Sequence, residues 1–135
     1  MGSVMEKVQL VKAESARIGV YLKTLKPEQW SIPSACDAWE VQDVVAHVMG
    51  AVERFGPNIV RGAGGDGSAP EGMPEAGVGD MAARLRANAQ VAVDFRESLG
   101  GEILNIYNKE MTRFDEFLSV LTDADKDKPC YHPAG

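Results

Sequence analysis

The feature that most limits what this chain can fold into is an apolar spacing of three and four residues that recurs in separate stretches. Val4, Val8, Val11, Ile18, Leu22 and Leu25 keep it through the first stretch, interrupted only at Ser15. Residues so spaced share one face of a helix and share no face of a strand. A helix is therefore predicted from about residue 3 to 25. It stops where Pro27 lacks a backbone donor and disfavours helical geometry at Lys26. The punctuated run Trp30-Ser31-Ile32-Pro33-Ser34 reads as a connecting loop.

Val41, Val45, Val48, Val52 and Phe55 form a second stripe. Valine is a modest helix former, so propensity alone admits a strand. Period decides the matter: alternation by two would put Asp43 beside Val41 and Val45, whereas helical spacing keeps charge off the apolar stripe. The helix is placed at about 40 to 55, with continuation past Pro57 to Val60 as the alternative, and Asp37 or Glu40 supplies negative charge at its N-terminus. Helix is predicted to resume from about Met81 to Ser98, break at Gly100-Gly101 and resume to about Thr122, which makes three long amphipathic helices in all. The last stripe, of Leu104, Tyr107, Met111, Phe114, Leu118 and Leu121, is the clearest, and its aromatic and methionine members read as core.

Between Gly56 and Gly79 lie eight of the fourteen glycines and three of the seven prolines, which predicts a mobile loop there. The loop lacks the Gly-Lys-Ser/Thr ending of a phosphate-binding loop and follows no strand, so it reads as a flexible connection. Thr122 to Pro129 reads as a solvated turn, and the chain closes on Tyr131-His132-Pro133-Ala134-Gly135. The expectation is one all-α domain over residues 1–135, an up-down helical bundle of the four-helix kind lacking its last helix.

Composition narrows the function. A chain of 135 residues buries roughly two thirds of its unfolded surface, so its core needs neither disulfide nor metal. With 14 Lys+Arg against 20 Asp+Glu the formal charge is −6, and no basic cluster exists to neutralise phosphates, which argues against nucleic acid. No apolar run approaches the length of a membrane span, and the start Met1-Gly2-Ser3-Val4-Met5-Glu6 lacks the order of a signal peptide. The chain reads as cytoplasmic, with Cys36 and Cys130 as thiols.

Few residues can carry chemistry. His47 lies at the edge of the second helix's apolar arc, and Asp43 one turn earlier could receive a ring N–H and fix the imidazole tautomer. A half-buried histidine beside a surface aspartate is the plainer alternative. Cys36, His47, Cys130 and His132 have the atom types of a Cys2His2 zinc site, though not the spacing of a finger or knuckle. Ser15 and Ser34 lack an activating neighbour in sequence. Trp30 and Trp39 flank the start of the second helix, where they either seal the bundle's end or line a pocket.

The pattern Leu25-x4-Trp30-x2-Pro33-x2-Cys36-x2-Trp39-x3-Asp43-x3-His47 resembles the N-terminal domain of the mycothiol-dependent maleylpyruvate isomerase family, within the DinB-like superfamily. Trp39 to Val48 is similar to that family's Gly-Trp-Thr-Val-Arg-Asp-Val-Val-Ala-His-Leu, with Ala38 standing where the family has glycine. The likeness is good over about residues 4 to 61, looser over 101 to 135 and absent through the Gly-rich loop. It implies a four-helix bundle in which His47 is one ligand of a divalent metal, zinc foremost. It also implies a Glu and a His one turn apart on a last helix, a pair this sequence lacks after Leu121. In that family mycothiol, bound at the metal as thiolate, adds to an electrophilic double bond, lets it rotate and leaves.

Two functions follow as expectations. The first is a metal-dependent, mycothiol-using isomerase or transferase acting on a small electrophile. This chain would be its N-terminal metal-binding portion, inactive alone, with His47 a ligand and Asp43 behind it. The second is a non-catalytic helical module that dimerises or binds a partner through an open bundle face.

Overall fold

The computed structural model describes residues 2–134, so Met1 and Gly135 lie outside the described residues. Four α-helices carry the fold: α1 (Val4–Lys23), α2 (Val41–Ala63), α3 (Met81–Leu99) and α4 (Ile103–Ser119). Short 3-10 turns sit at Pro27–Ser31, Gly100–Glu102 and Asp123–Asp125. None of the four helices carries a Glu and a His one turn apart.

Local chemistry explains the boundaries. Ser3 caps α1: its Oγ accepts from the Glu6 N–H at 3.1 Å while the Glu6 carboxylate accepts from the Ser3 N–H at 2.8 Å. Asp80 caps α3 by accepting from the Ala83 N–H at 3.1 Å. Gly100, at φ +55, turns the chain out of α3 and into α4.

Contacts between helices set their directions. The Tyr107 hydroxyl donates to the Ser15 carbonyl at 3.1 Å and the Val4 N–H donates to Asp123 at 2.7 Å, so α1 and α4 run antiparallel. Asp43, near the start of α2, meets Arg96, near the end of α3, so these two are antiparallel as well. Val45 and Ile103 share the core at one end, and Gly56 meets Phe114 and Phe117 at the other, so α4 runs parallel to α2. The order is up-down-up-down, which fits the expected bundle but corrects the expectation of a missing last helix: the break at Gly100-Gly101 separates α3 from α4, so four helices are present. α4 packs between α1 and α2, and α3 packs on the far side of α2.

The core comprises Leu22, Val45, Met49, Ile103, Tyr107 and Met111, with Trp30, Val52, Phe95 and Leu99 packed around it. The α4 stripe is core as read from its spacing. Two other stripes are displaced. On α1, Val8 and Leu22 are buried but Val11 and Ile18 are 37% and 43% exposed, because α4 covers only one side of the stripe. On α2, Val48 is 39% exposed and the centre moves to Met49, which is fully buried.

The Gly/Pro-rich stretch is corrected at its beginning. Helix α2 runs through Pro57 to Ala63, so irregular chain starts at Gly64 rather than Gly56. The carbonyl that Pro57 leaves without a donor belongs to Glu53, an exposed position. Gly56 and Gly62 serve packing here: a Cβ on Gly56 would lie 2.7 Å from the Phe117 ring, and one on Gly62 would lie 2.6 Å from the Pro129 carbonyl. The segment 129–134 is also more than a solvated end. Tyr131 is buried and donates to the Pro74 carbonyl at 2.8 Å, while the Gly77 N–H donates to the Pro133 carbonyl, also at 2.8 Å.

Candidate functional site

The segment before α2 is closed on itself. Ser34 N–H donates to the Trp39 carbonyl at 2.9 Å and Val41 N–H to the Ile32 carbonyl at 3.0 Å. The reversal between them needs a left-handed residue, and Ala38 occupies it at φ +64. That geometry costs an alanine about 1–2 kcal/mol relative to the right-handed region and costs glycine nothing comparable. The loop then delivers Trp39 against the first turns of α2.

Trp39 reaches across to α3, where its indole N–H donates to the Ala89 carbonyl at 3.1 Å. Its ring lies 5.0 Å from that of His47, tilted by 41°. His47 is half-buried in a cleft between α2 and α3, lined also by Gly50, Arg54, Asn88, Val91 and Phe95. Trp39 thus borders the His47 site, and Trp30 packs on the core at the bundle's end. Trp30 thus takes the sealing role, whereas Trp39 packs beside His47 without lining the cleft itself.

Asp43 is placed differently from its expected role. Its Oδ1 accepts from Arg96 Nε at 2.7 Å and its Oδ2 accepts from the Glu40 N–H at 2.9 Å. Among the described residues no hydrogen bond joins it to His47. The carboxylate is 1% exposed, so it needs both partners, and it spends them capping α2 and pinning α3. The same bond holds Arg96 charged to a higher pH than usual, with its basicity raised first by the Asp43 hydrogen bond.

The four candidate zinc ligands are not brought together. Cys36 and Cys130 are both exposed thiols. His132 stacks on Phe55 with ring centroids 5.0 Å apart, and its Nδ1 accepts from the Ala134 N–H at 3.1 Å. Phe55 follows His47 by eight residues, about 12 Å along the axis of α2, too far for both imidazoles to reach one ion at about 2 Å. Among the described residues no group of three or more His, Cys, Asp and Glu side chains is arranged to hold a metal. His47 alone does not make a metal site, since stable zinc centres use three or four protein donors.

A scan against family models matches the mycothiol maleylpyruvate isomerase N-terminal domain over residues 11–100. The chain belongs to that family. The match takes in the Trp39 to His47 motif and continues through the Gly-rich loop and α3, further than the motif likeness alone, and it stops before α4. Family membership agrees with the helical bundle and ties the chain to mycothiol-related isomerases. No curated protein and no solved structure matched the chain.

Arg54, Asn88 and Arg96 were not foreseen from sequence. Arg96 lies 53 residues from Asp43, and neither Arg54 nor Asn88 belongs to a recognisable motif. Among the described residues no helix is long and apolar enough to cross a membrane.

Proposed function

We propose that this chain is the N-terminal portion of a thiol-using isomerase or transferase of the maleylpyruvate isomerase type. In this reading mycothiol is the thiol, a small electrophile the substrate and the cytoplasm the compartment. One observation carries it: the family's Trp39 to His47 motif places His47 in a cleft between α2 and α3. His47 as a metal ligand belongs to the proposal, but the described residues supply a single imidazole. Any further donors would come from outside the described residues.

The test is calorimetry. Mycothiol should bind the chain, and His47→Ala should weaken that binding without shifting the melting curve. Zinc alone should bind weakly and lose that binding in His47→Ala. Absence of mycothiol binding, or mycothiol binding indifferent to His47, would refute the reading.

The second reading is a helical interaction module. It is favoured by the apolar side chains α1 leaves in solvent, with Leu10, Val20 and Tyr21 each more than 60% exposed. Light scattering over a concentration series separates the two. A strict monomer that binds mycothiol through His47 would remove the module reading.

A further inference from the structure

Among the described residues no hydrogen bond holds the His47 imidazole. Asp43, one turn earlier, spends its carboxylate on Arg96 and on the Glu40 N–H. The next residues on the His47 side of α2 are Gly50 and Ala51, whose side chains are too short to restrain a ring. A Cβ on Gly50 would meet only the Phe95 ring, at 3.9 Å, so the space there is open. A long helical side chain takes χ1 near about 180° or −60°, and both settings carry it back over the preceding turn. On that side stands Trp39, just before α2, with its ring 5.0 Å from the imidazole and tilted by 41°. That separation is in the range of a favourable aromatic pair.

Trp39 is itself fixed at three points. Ala38, left-handed at φ +64, turns the chain into it. Its carbonyl accepts from the Ser34 N–H at 2.9 Å and from the Ser34 hydroxyl at 2.8 Å. Its indole N–H donates to the Ala89 carbonyl of α3 at 3.1 Å. Ala89 adjoins Asn88, which lines the cleft, so the indole is anchored to the wall that faces His47. A ring held in this way favours the imidazole rotamer that packs on it. The strength of such pairs corresponds to a preference of about two- to tenfold over the other rotamer.

We propose that Trp39 is a positioning residue for His47, selecting the rotamer that stands the imidazole at the α2–α3 cleft, the part expected of Asp43. That the rotamer matters for thiol binding rests on the proposed function, whereas the positioning itself needs neither thiol nor metal.

The test is NMR on the full chain, labelled with 13C and 15N, without thiol or metal. His47 and His132 are the only histidines, so two sets of ring signals have to be told apart. Three-bond couplings report the χ1 populations of His47. In the parent one rotamer should dominate, and the imidazole protons should show Overhauser contacts to the indole. Trp39→Leu should shift the rotamer ratio about two- to tenfold. Trp39→Phe, which keeps a smaller ring and loses the indole bond, should shift it less and in the same direction. Gly56→Ala disturbs packing at the other end of the bundle and should leave the ratio where it was. An unchanged ratio in folded Trp39→Leu, an opposite shift in Trp39→Phe or an equal shift in Gly56→Ala overturns the proposal. Equal rotamers or missing indole contacts in the parent overturn it without any variant. Mycothiol binding should weaken in Trp39→Leu by no more than the rotamer shift. A parent that binds no mycothiol, with the rotamer shift intact, defeats the proposed function alone. Mycothiol binding through His47, with the rotamer indifferent to Trp39, defeats the positioning role alone.

Discussion

Arg96→Met would remove the guanidinium from a carboxylate that has no route to water. Asp43 is 1% exposed, and its two oxygens are divided between Arg96 at 2.7 Å and the Glu40 N–H at 2.9 Å. Removing one partner of a fully buried ion pair costs about 3–5 kcal/mol. Two features reduce that here. The Arg96 side chain is 22% exposed, so water screens the pair from one side. The Glu40 N–H and the N-terminal dipole of α2 would still hold the anion. A loss of about 2–3 kcal/mol remains, a drop of roughly 6–10 °C in Tm for a domain of this size. Asp43→Asn should cost about 1–2 kcal/mol, through the weakened cap and the lost charge. Because the two side chains act on each other, the double variant should cost less than the sum, with a coupling of about 1 kcal/mol or more. Urea unfolding followed by circular dichroism, with m unchanged, measures all four corners of the cycle. A coupling below about 0.5 kcal/mol, the scatter of independent sites, would refute the claim that Asp43 is held by Arg96.

Ala38→Gly should stabilise the protein by up to about 1 kcal/mol, since it relieves left-handed strain of about 1–2 kcal/mol against an unfolded-state gain for glycine of about 0.4–1 kcal/mol. A lower urea midpoint would contradict this. Gly56→Ala should destabilise by about 1–2 kcal/mol net, because overpacking against the Phe117 ring exceeds the gain in helix propensity. A stabilised variant would show that the helices part easily. Burial raises the Tyr107 phenol above its usual value, so the fold holds that proton more tightly than the unfolded chain. The stability tied to it is intact below about pH 10 and falls as pH rises from there through the folded-state value. Urea midpoints of Tyr107→Phe and the parent should therefore converge above about pH 10, and a constant gap from about pH 8 to 11 would count against it.

Much of the architecture was legible because its signals are local. The α4 stripe from Leu104 to Leu118 needed only the helical period, and so did the run of α1 from Val4. The glycines of α2 misled for a matching reason. Gly56 and Gly62 look like flexibility in a composition window, and their role depends on Phe117 and Pro129, about sixty residues away in sequence. Val11, Ile18 and Val48 misled in the opposite sense, since apolar spacing says which face can be buried but not which neighbour arrives to bury it.

The sequence by itself determined where the helices run and which family the chain resembles. Period, capping and the Trp39 to His47 spacing are properties of a few consecutive turns. Only the tertiary structure decided that Asp43 belongs to Arg96 and that Arg54 and Asn88 line the same cleft as His47. It also decided that His132 settles on Phe55, two turns from where it could share an ion with His47. Those pairings depend on how helices cross after long connections, and side chains that meet across such a crossing leave no periodic trace in the chain.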